Sequence, residues 1–327
     1  MKSARTHDLL DLQLLHALEL DPRAPYSRIA AVLGVSDQTV ARRLRRLRTD
    51  AALRVVGVRC AATDDALDHW LLRVRCAPEG ATAIADALAK RPDTSWVTLT
   101  SGGTEVTCTA GTRSRGGTDD LLLGRLPRTP HIVDIRAQQL LHRFYGGPYG
   151  WLHKSGALTP GQIAALTPPP HPGPPGAPLI TAEDEPLVAA LERDGRTPYP
   201  ELQRATGRSE SAVRRRLAQL VASGALYIDT EYSTDYFGYR MQTLFSITTA
   251  PHALHRVGQT LAAHPEVAYA AAMTGPSNLM AVTVTRDTAH LYRYLSESLG
   301  GLDGVEHVET MPCLRRVKQL TYRPFRG

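Results

Sequence analysis

The chain of 327 residues has few cysteines, only Cys60, Cys76, Cys108 and Cys313. None forms a C-x-x-C pair or lies beside histidines at zinc-ligand spacing, which excludes the common zinc and dithiol motifs. They read as small apolar residues in a reducing compartment. Long apolar runs are also missing. No segment approaches the roughly 18 residues that cross a bilayer, and no apolar signal core follows Met1-Lys2-Ser3-Ala4-Arg5. The expectation is a cytoplasmic chain with no membrane partner, no metal and no cofactor. A strong excess of one charge is missing as well. The net charge is +6, which bears on partners only once it is located along the chain.

Hydrophobic residues make up 43% and charged residues 21%, ordinary values for a globular chain long enough to hold several cores. The informative feature is an internal repeat. Shifted by 173 positions, the chain matches itself without a gap, with 18 identities among the 43 positions from 11 to 53. The pairs include Asp11/Asp184, Pro25/Pro198, Tyr26/Tyr199, Gly34/Gly207, Ser36/Ser209, Val40/Val213 and Arg42/Arg215. The shift continues through Ala77-Pro78/Ala250-Pro251, Gly102/Gly275 and Arg143/Arg316. Repeat 1 runs from about Asp8 to Tyr145, and repeat 2 from about Thr181 to Lys318. Between them, residues 146–180 carry Pro168-Pro169-Pro170 and Pro172-Gly173-Pro174-Pro175. That density predicts an extended linker without regular helix.

The first part of each repeat reads as three helices. Leu9, Leu12, Leu15 and Leu18 recur at helical spacing until Asp21-Pro22. A short helix fits Tyr26 to Leu33, and Gly34 supplies the turn. Ser36 caps a third helix, with Asp37 at its positive end. Val40, Leu44 and Leu47 form its apolar stripe. Gln38, Arg42, Arg45 and Arg46 point away from that stripe, with Thr39 and Arg43 beside it. Repeat 2 follows suit. Ser209 caps, Val213, Leu217 and Leu220 face inward, and Ser211, Arg214, Arg215, Arg216 and Gln219 lie outside or at the flanks. A third helix of this kind fits the DNA major groove, where Arg pairs with guanine and Gln with adenine. Further arginines neutralise phosphates. The candidate DNA-binding residues are therefore Ser36, Gln38, Thr39, Arg42, Arg43, Arg45 and Arg46 in repeat 1. In repeat 2 they are Ser209, Ser211, Arg214, Arg215, Arg216 and Gln219.

The second part alternates strands and helices. Repeat 2 predicts strands at Met241 to Thr248, Val267 to Met273, Leu279 to Thr285 and Val305 to Leu314. Helices are predicted at Pro251 to Ala263 and Thr288 to Leu299. This is βαββαβ, a ferredoxin-like order. Repeat 1 gives strands near Trp70 to Arg75, Trp96 to Thr100, Glu105 to Ala110 and Ile132 to Leu140. The fold class is α+β: two copies of a winged-helix-like helix-turn-helix followed by a ferredoxin-like domain. The boundaries are 1–58, 64–145, a linker at 146–180, 181–232 and 236–320.

This arrangement resembles the leucine-responsive/asparagine-type (Lrp/AsnC) regulators. The resemblance rests on Gly34-Val35-Ser36, on Val40…Arg42-Arg43-Leu44…Leu47, and on His264-Pro265-Glu266-Val267…Thr274-Gly275-Pro276-Ser277-Asn278-Leu279. It implies a DNA-binding transcription regulator rather than an enzyme, with a sheet-mediated dimer and a small effector, commonly an amino acid. The effector would sit near Gly102, Gly103, Glu105, Gly275, Ser277 and Asn278, with Glu105 placed to hold an ammonium group. Double-stranded DNA is the implied partner, and the assembly is a homo-oligomer or an intrachain pseudo-dimer. Two alternatives compete. One is an enzyme resembling the haem-pathway (sirohaem) decarboxylases, which share the two-part architecture, with His131, His142, His153 and His307 available for acid chemistry. The other is an architectural DNA coater.

Overall fold

The computed structural model describes residues 8–59, 69–111, 120–147, 150–169 and 180–320. Repeat 1 supplies α1 (Leu9–Leu20), α2 (Tyr26–Leu33), α3 (Asp37–Asp50), β1 (Arg54–Arg59), β2 (His69–Cys76), α4 (Pro78–Lys90), β3 (Thr94–Thr100), β4 (Glu105–Gly111) and β5 (Ile132–Tyr145). A connecting helix, α5 (Pro160–Leu166), follows. Repeat 2 supplies α6 (Glu185–Arg193), α7 (Tyr199–Thr206), α8 (Glu210–Ala222), β6 (Leu226–Glu231), β7 (Met241–Thr249), α9 (Leu254–Ala263), β8 (Val267–Met273), β9 (Leu279–Thr285), α10 (Thr288–Arg293) and β10 (Val305–Arg316).

These elements sort into two compact units, and each unit draws on both repeats. One joins Met1–Thr63 to Gly147–Gly238, and the other joins Asp64–Gly146 to Tyr239–Gly327. Like parts have packed with like parts across the repeats, so the four consecutive domains expected along the chain, with a linker between the second and third, group into two composite units.

In the helical unit the predicted apolar stripes are buried. Val40, Leu44 and Leu47 are buried, as are Leu14, Leu18 and Ile29, and Val213, Leu217 and Leu220 pack with Leu187, Leu191 and Leu202. Both turns are made by a left-handed glycine, Gly34 at φ 68° and Gly207 at φ 67°, a conformation that costs other residues about 1–2 kcal/mol. Ser36 and Ser209 cap α3 and α8 by accepting from the amides of Thr39 and Ala212. Among the described residues the strand after each third helix does not fold back into a hairpin wing. Instead β1 and β6 pair with each other antiparallel, from Arg54↔Glu231 to Arg59↔Leu226.

The linker expectation needs correction. Residues 151–166 carry a short helical turn, Trp151–Lys154, and then α5, started by a Thr159/Gln162 capping box with proline in the first turn. Proline is tolerated there because its missing N–H would have no helical partner anyway. This segment packs on repeat 1. Arg28 donates to the Ala165 carbonyl at 2.7 Å, and Gln162 to that of Val32 at 3.3 Å. The proline run from Pro170 onward, like Cys60, lies outside the described residues.

The second unit contains both βαββαβ halves. Its eight strands close into a barrel in the order β10-β3-β4-β2-β5-β8-β9-β7. Two long strands close it. β5 pairs with β2 through Gln139 and then with β8 from Leu140 to Tyr145. β10 pairs with β7 through Pro312 and then with β3 from Cys313 to Arg316. Each strand thus leaves its own sheet and completes the other, so neither sheet keeps the open edge that an isolated ferredoxin-like domain would expose. Leu71, Leu140, Leu244, Met273, Met280 and Met311 form the core between the sheets. Separate cores lie on the helical side of each, around Leu72, Ile84 and Val106 and around Phe245, Val257 and Tyr294.

Candidate nucleic-acid interface and sensor turns

The two helix-turn-helix segments are joined by more than a strand pair. Arg23 donates to the carbonyls of Gly195 and Thr197 at 2.6 and 3.0 Å and stacks on Tyr199 at 4.9 Å. Arg196 does the reciprocal, donating to Pro22 and Ala24 at 2.6 and 2.7 Å and stacking on Tyr26 at 4.8 Å. These arginines are equivalent in the two repeats, so the contact is self-complementary about a pseudo-twofold, the form an isologous dimer interface takes. Sequence reasoning passed over this pair. Its signal was present in the identity of Arg23 with Arg196 next to the Tyr26/Tyr199 match.

The predicted DNA-binding residues divide into two sets. Arg43 and Arg216 do not extend outward. Arg43 pairs with Asp8 at 2.6 Å and Asp11 at 3.3 Å, and Arg46 also pairs with Asp11. Arg216 grips Asp184 with two bonds, 2.9 and 2.6 Å, and Arg208 adds a third at 3.3 Å. The Arg216 hydrogen bond holds the Asp184 carboxyl well below the usual carboxylate range, against the opposing cost of burial. Asp11 and Asp184 are fully buried, so these arginines are the counter-ions that tie each third helix to the start of the first helix of its repeat. Arg214 is held too, on Glu210 at 2.6 Å and over the Tyr199 ring at 3.7 Å.

The second set faces solvent. Gln38, Arg42 and Arg45 are exposed along one line of α3, and Arg215 and Ser211 on α8. Among the described residues Arg42 and Arg215 make no hydrogen bond or ion pair, and Arg45 meets only the Ala41 carbonyl at 3.3 Å. Thr39 is half-buried and joined to Ser36 at 3.0 Å, while Gln219 is half-buried on the flank of α8.

The sensor turns are wired differently from the expectation. Glu105 is buried, and its carboxylate accepts from Arg73 at 2.8 and 3.3 Å and from Ser101 at 3.0 Å. Arg73 reaches on to Glu309 of repeat 2 at 2.7 and 2.8 Å. Glu105 therefore serves an internal cation rather than standing open to an ammonium group. That Arg73 hydrogen bond also draws the Glu309 carboxyl below its ordinary value. Gly102 and Gly103, at φ 69° and 89°, shape this turn. In repeat 2 Asn278 is spent on Thr249, accepting from its amide at 2.9 Å and donating to its carbonyl at 2.9 Å. Gln138 of repeat 1 donates to the carbonyls of Thr274 and Ser277 at 2.8 and 2.9 Å. Gly275 permits that approach, since a Cβ there would lie 3.1 Å from the Gln138 amide nitrogen.

The four histidines stand apart. His131 lies 3.7 Å from Glu79, His142 meets Phe144 edge to face, His153 meets the edge of His16, and His307 is exposed on β10. Among the described residues no group of three His, Cys, Asp or Glu side chains is placed to hold a metal, and no helix is long and apolar enough to cross a membrane. Cys76 and Cys108 are buried free thiols, and burial pushes Cys108 up to about 12.

Two composite units, one carrying paired helix-turn-helix segments and one a closed eight-stranded barrel, define a duplicated helix-turn-helix protein. The AsnC-type helix-turn-helix domain profile matches residues 8–48 and 182–221, and the Lrp/AsnC ligand binding domain profile matches residues 242–322. The HTH-type transcriptional regulator LrpA of Pyrococcus horikoshii is 30% identical over 141 residues, which cover 43% of this chain and 100% of that protein. The HTH-type transcriptional regulator FL11 of the same organism is 26% identical over 144 residues, 44% of this chain and 95% of that protein. The chain belongs to the Lrp/AsnC family of transcriptional regulators. Its fold is also similar to the crystal structure of the siroheme decarboxylase NirDL, with a TM-score of 0.62 at 15% identity, covering 96% of this chain and 94% of that one.

Proposed function

We propose that this regulator binds double-stranded DNA as an intrachain pseudo-dimer, one chain providing both readers of a two-part operator in the cytoplasm. One observation carries the reading: β1 and β6 pair antiparallel and the Arg23/Arg196 contacts are reciprocal, so two third helices with exposed Arg42 and Arg215 are held in one body. A symmetric pair of such helices suits half-sites about one helical turn apart. Arg42, Arg45 and Arg215 meet bases or phosphates, while Arg43, Arg46, Arg214 and Arg216 hold the readers in place. A titration of the purified chain against selected duplexes tests this. With ~6–10 phosphate contacts, affinity falls about 10³–10⁵-fold between roughly 50 and 200 mM salt. A flat salt response defeats the reading. A ratio of specific to non-specific affinity near one assigns architectural coating instead.

The barrel unit is the effector-responsive part in this reading. A zwitterionic effector at the repeat 1 turn competes with Glu105 and Glu309 for Arg73, so its carboxylate is the recognised end. Thermal shift with single amino acids tests that, and a response unaltered in Arg73→Met places the effector elsewhere. The likeness of fold to a decarboxylase motivates one control. Sirohaem added to the chain is expected to leave its visible spectrum unchanged, and a shifted Soret band favours the enzyme.

A further inference from the structure

We infer that the two readers are unequal: repeat 1 reads base edges in its half-site, and repeat 2 grips the backbone of the other. This rests on the DNA reading above and assigns a different role to each helix.

Along the solvent line of α3 stand Gln38, Arg42 and Arg45, at i, i+4 and i+7, all exposed and none paired to a carboxylate among the described residues. Two guanidinium forks and one amide in a row are the donors that pair bidentately with guanine and adenine. The equivalent line on α8 is Ser211, Arg215 and Ala218. Only one of these is a cation, and the methyl group at Ala218 makes no hydrogen bond. The neighbouring arginines do not substitute. Arg214 is engaged by Glu210 and by the Tyr199 ring, and Arg216 by Asp184. Both helix starts carry a hydroxyl pair, Ser36 and Thr39 at 3.0 Å and Ser209 and Ser211 at 3.2 Å, so what α8 keeps beside its pair is Arg215 alone. A helix start with hydroxyls and one Arg suits a phosphate, which fixes register without reading sequence.

The asymmetry extends into the support of each reader. On repeat 1 the connecting segment binds α1 and α2, with Gln13 donating to the Ala157 carbonyl at 3.2 Å in addition to the Arg28 and Gln162 contacts. A base-reading helix needs its partners held within a few tenths of an ångström, and this buttress supplies such a support to α3 through α2.

The test is selection of duplexes from a randomised pool by the full-length chain at stated salt, followed by titrations with each half-site scrambled. The expected consensus carries its information in one half. Scrambling that half weakens binding about 5- to 150-fold. Scrambling the other changes it less than about threefold, yet cutting it off the duplex costs more than about tenfold. Arg42→Ala and Gln38→Ala are expected to erase base preferences in the informative half. Arg215→Ala is expected to weaken all sequences alike and lower the salt slope by about one. All three side chains are exposed, so the variants keep the fold, which circular dichroism checks. A palindromic consensus, or an Arg215→Ala variant with altered base preference, overturns the unequal readers and leaves DNA binding intact. A chain that enriches no duplex and shows no salt-dependent binding overturns the DNA reading itself.

Discussion

The two repeats have kept the same fold and part of its polar wiring, and have changed the rest. The apolar stripes are identical at Val40/Val213, Leu44/Leu217 and Leu47/Leu220, and so are the buried Asp11/Asp184 and their counter-ions Arg43/Arg216. Elsewhere equivalent positions do different work. Arg73 of repeat 1 joins two carboxylates, whereas repeat 2 has Ser246 there. Glu19 of α1 has an enclosed carboxyl hydrogen-bonded by Tyr232 at 2.8 Å, whereas Glu192 of α6 is an ion pair with Arg59. Shape is set by hydrophobic burial, which tolerates any polar arrangement that satisfies its own hydrogen bonds. Once both copies reside in one chain, each position meets one fixed partner and the two copies are free to specialise.

The largest difference is expected at Arg73. Arg73→Ala leaves Glu105 buried without its cation, and removing one partner of a buried pair costs about 3–5 kcal/mol. Ser246→Ala, at the equivalent place, is expected to cost less than about 1 kcal/mol. Denaturant unfolding of both variants measures the contrast. Equal losses mean that the Arg73 bridge contributes little and that the repeats differ less than their contacts imply.

The next difference depends on pH. Burial pushes Glu19 up to about 8 from its ordinary 4.5, and the Tyr232 hydrogen bond opposes this only in part. A carboxyl raised in the folded state binds its proton more tightly there. Its contribution to stability is full below about 4.5 and is lost as pH rises through about 8. The loss is on the order of 5 kcal/mol at 1.36 kcal/mol per unit. His16, on the same helix, works the other way. Burial first, and then the charge of His153, lowers it to about 4, so its contribution is full above 6.5 and is lost as pH falls through 4. The two oppose each other between about 4.5 and 6.5, and Glu19 acts alone from there to about 8. Glu19→Gln is expected to flatten the decline between pH 6.5 and 8 in thermal unfolding. Glu192→Gln, half-exposed in an ion pair, is expected to cost about 1 kcal/mol or less with no change of slope. A wild-type curve level across this range contradicts the buried acid.

The anchoring arginines come third, and here the repeats are expected to agree. Arg43→Ala and Arg216→Ala each remove charge-assisted hydrogen bonds worth about 1.5–3 kcal/mol, although Arg46 and Arg208 still face the orphaned aspartates. Arg42→Ala and Arg215→Ala are expected to change stability by less than about 0.5 kcal/mol and to act on DNA binding alone. A destabilised Arg42→Ala joins that residue to the structural set and removes it from the reader.

What was legible in the sequence follows the same division. Periodicity and punctuation placed α2 at Tyr26–Leu33, α3 behind Ser36, and β8 and β9 at Val267–Met273 and Leu279–Thr285, because each is encoded within a dozen neighbouring residues. The partners of charged side chains were not legible. Arg43 and Arg42 are adjacent, and only the fold brings Asp11 under the first and leaves the second in solvent. Glu105 looked like an open carboxylate because Arg73, which also holds Glu309, reaches it from another strand. The crossing of β5 and β10 between sheets was hidden for a related reason. A strand reads the same whichever neighbour it pairs with, so Leu140 to Tyr145 carries no mark of β8. In the linker, proline counting concealed the Thr159-Pro160-Gly161-Gln162 helix start, a local signal read at too coarse a scale.

The smallest expected difference concerns the backbone alone. Ala52, the second residue past α3, sits at φ 52°, and Gly224, the second residue past α8, sits at φ 71°. Left-handed backbone costs a residue with a Cβ about 1–2 kcal/mol. Glycine avoids that cost but has more freedom to lose from the unfolded chain, which returns about 0.4–1 kcal/mol to alanine. The balance predicts that Ala52→Gly stabilises the chain by about 0.5–1 kcal/mol and that Gly224→Ala destabilises it by a similar amount. The space around Gly224 is open, with no atom within 4 Å of where a Cβ would stand, so no steric clash is added to its side of the exchange. Ala52 is solvent-exposed, so losing its methyl group costs little burial. The exchange is therefore a mirror test of one torsion in two contexts, measured by thermal unfolding of the single variants and of the double. Equal and opposite shifts that cancel in the double variant mean that the two turns are energetically the same and that the repeats differ only in their side-chain wiring. A double variant clearly less stable than wild type means that repeat 1 depends on the stiffness of Ala52 between α3 and β1. The difference between the readers would then reach into the backbone that joins them.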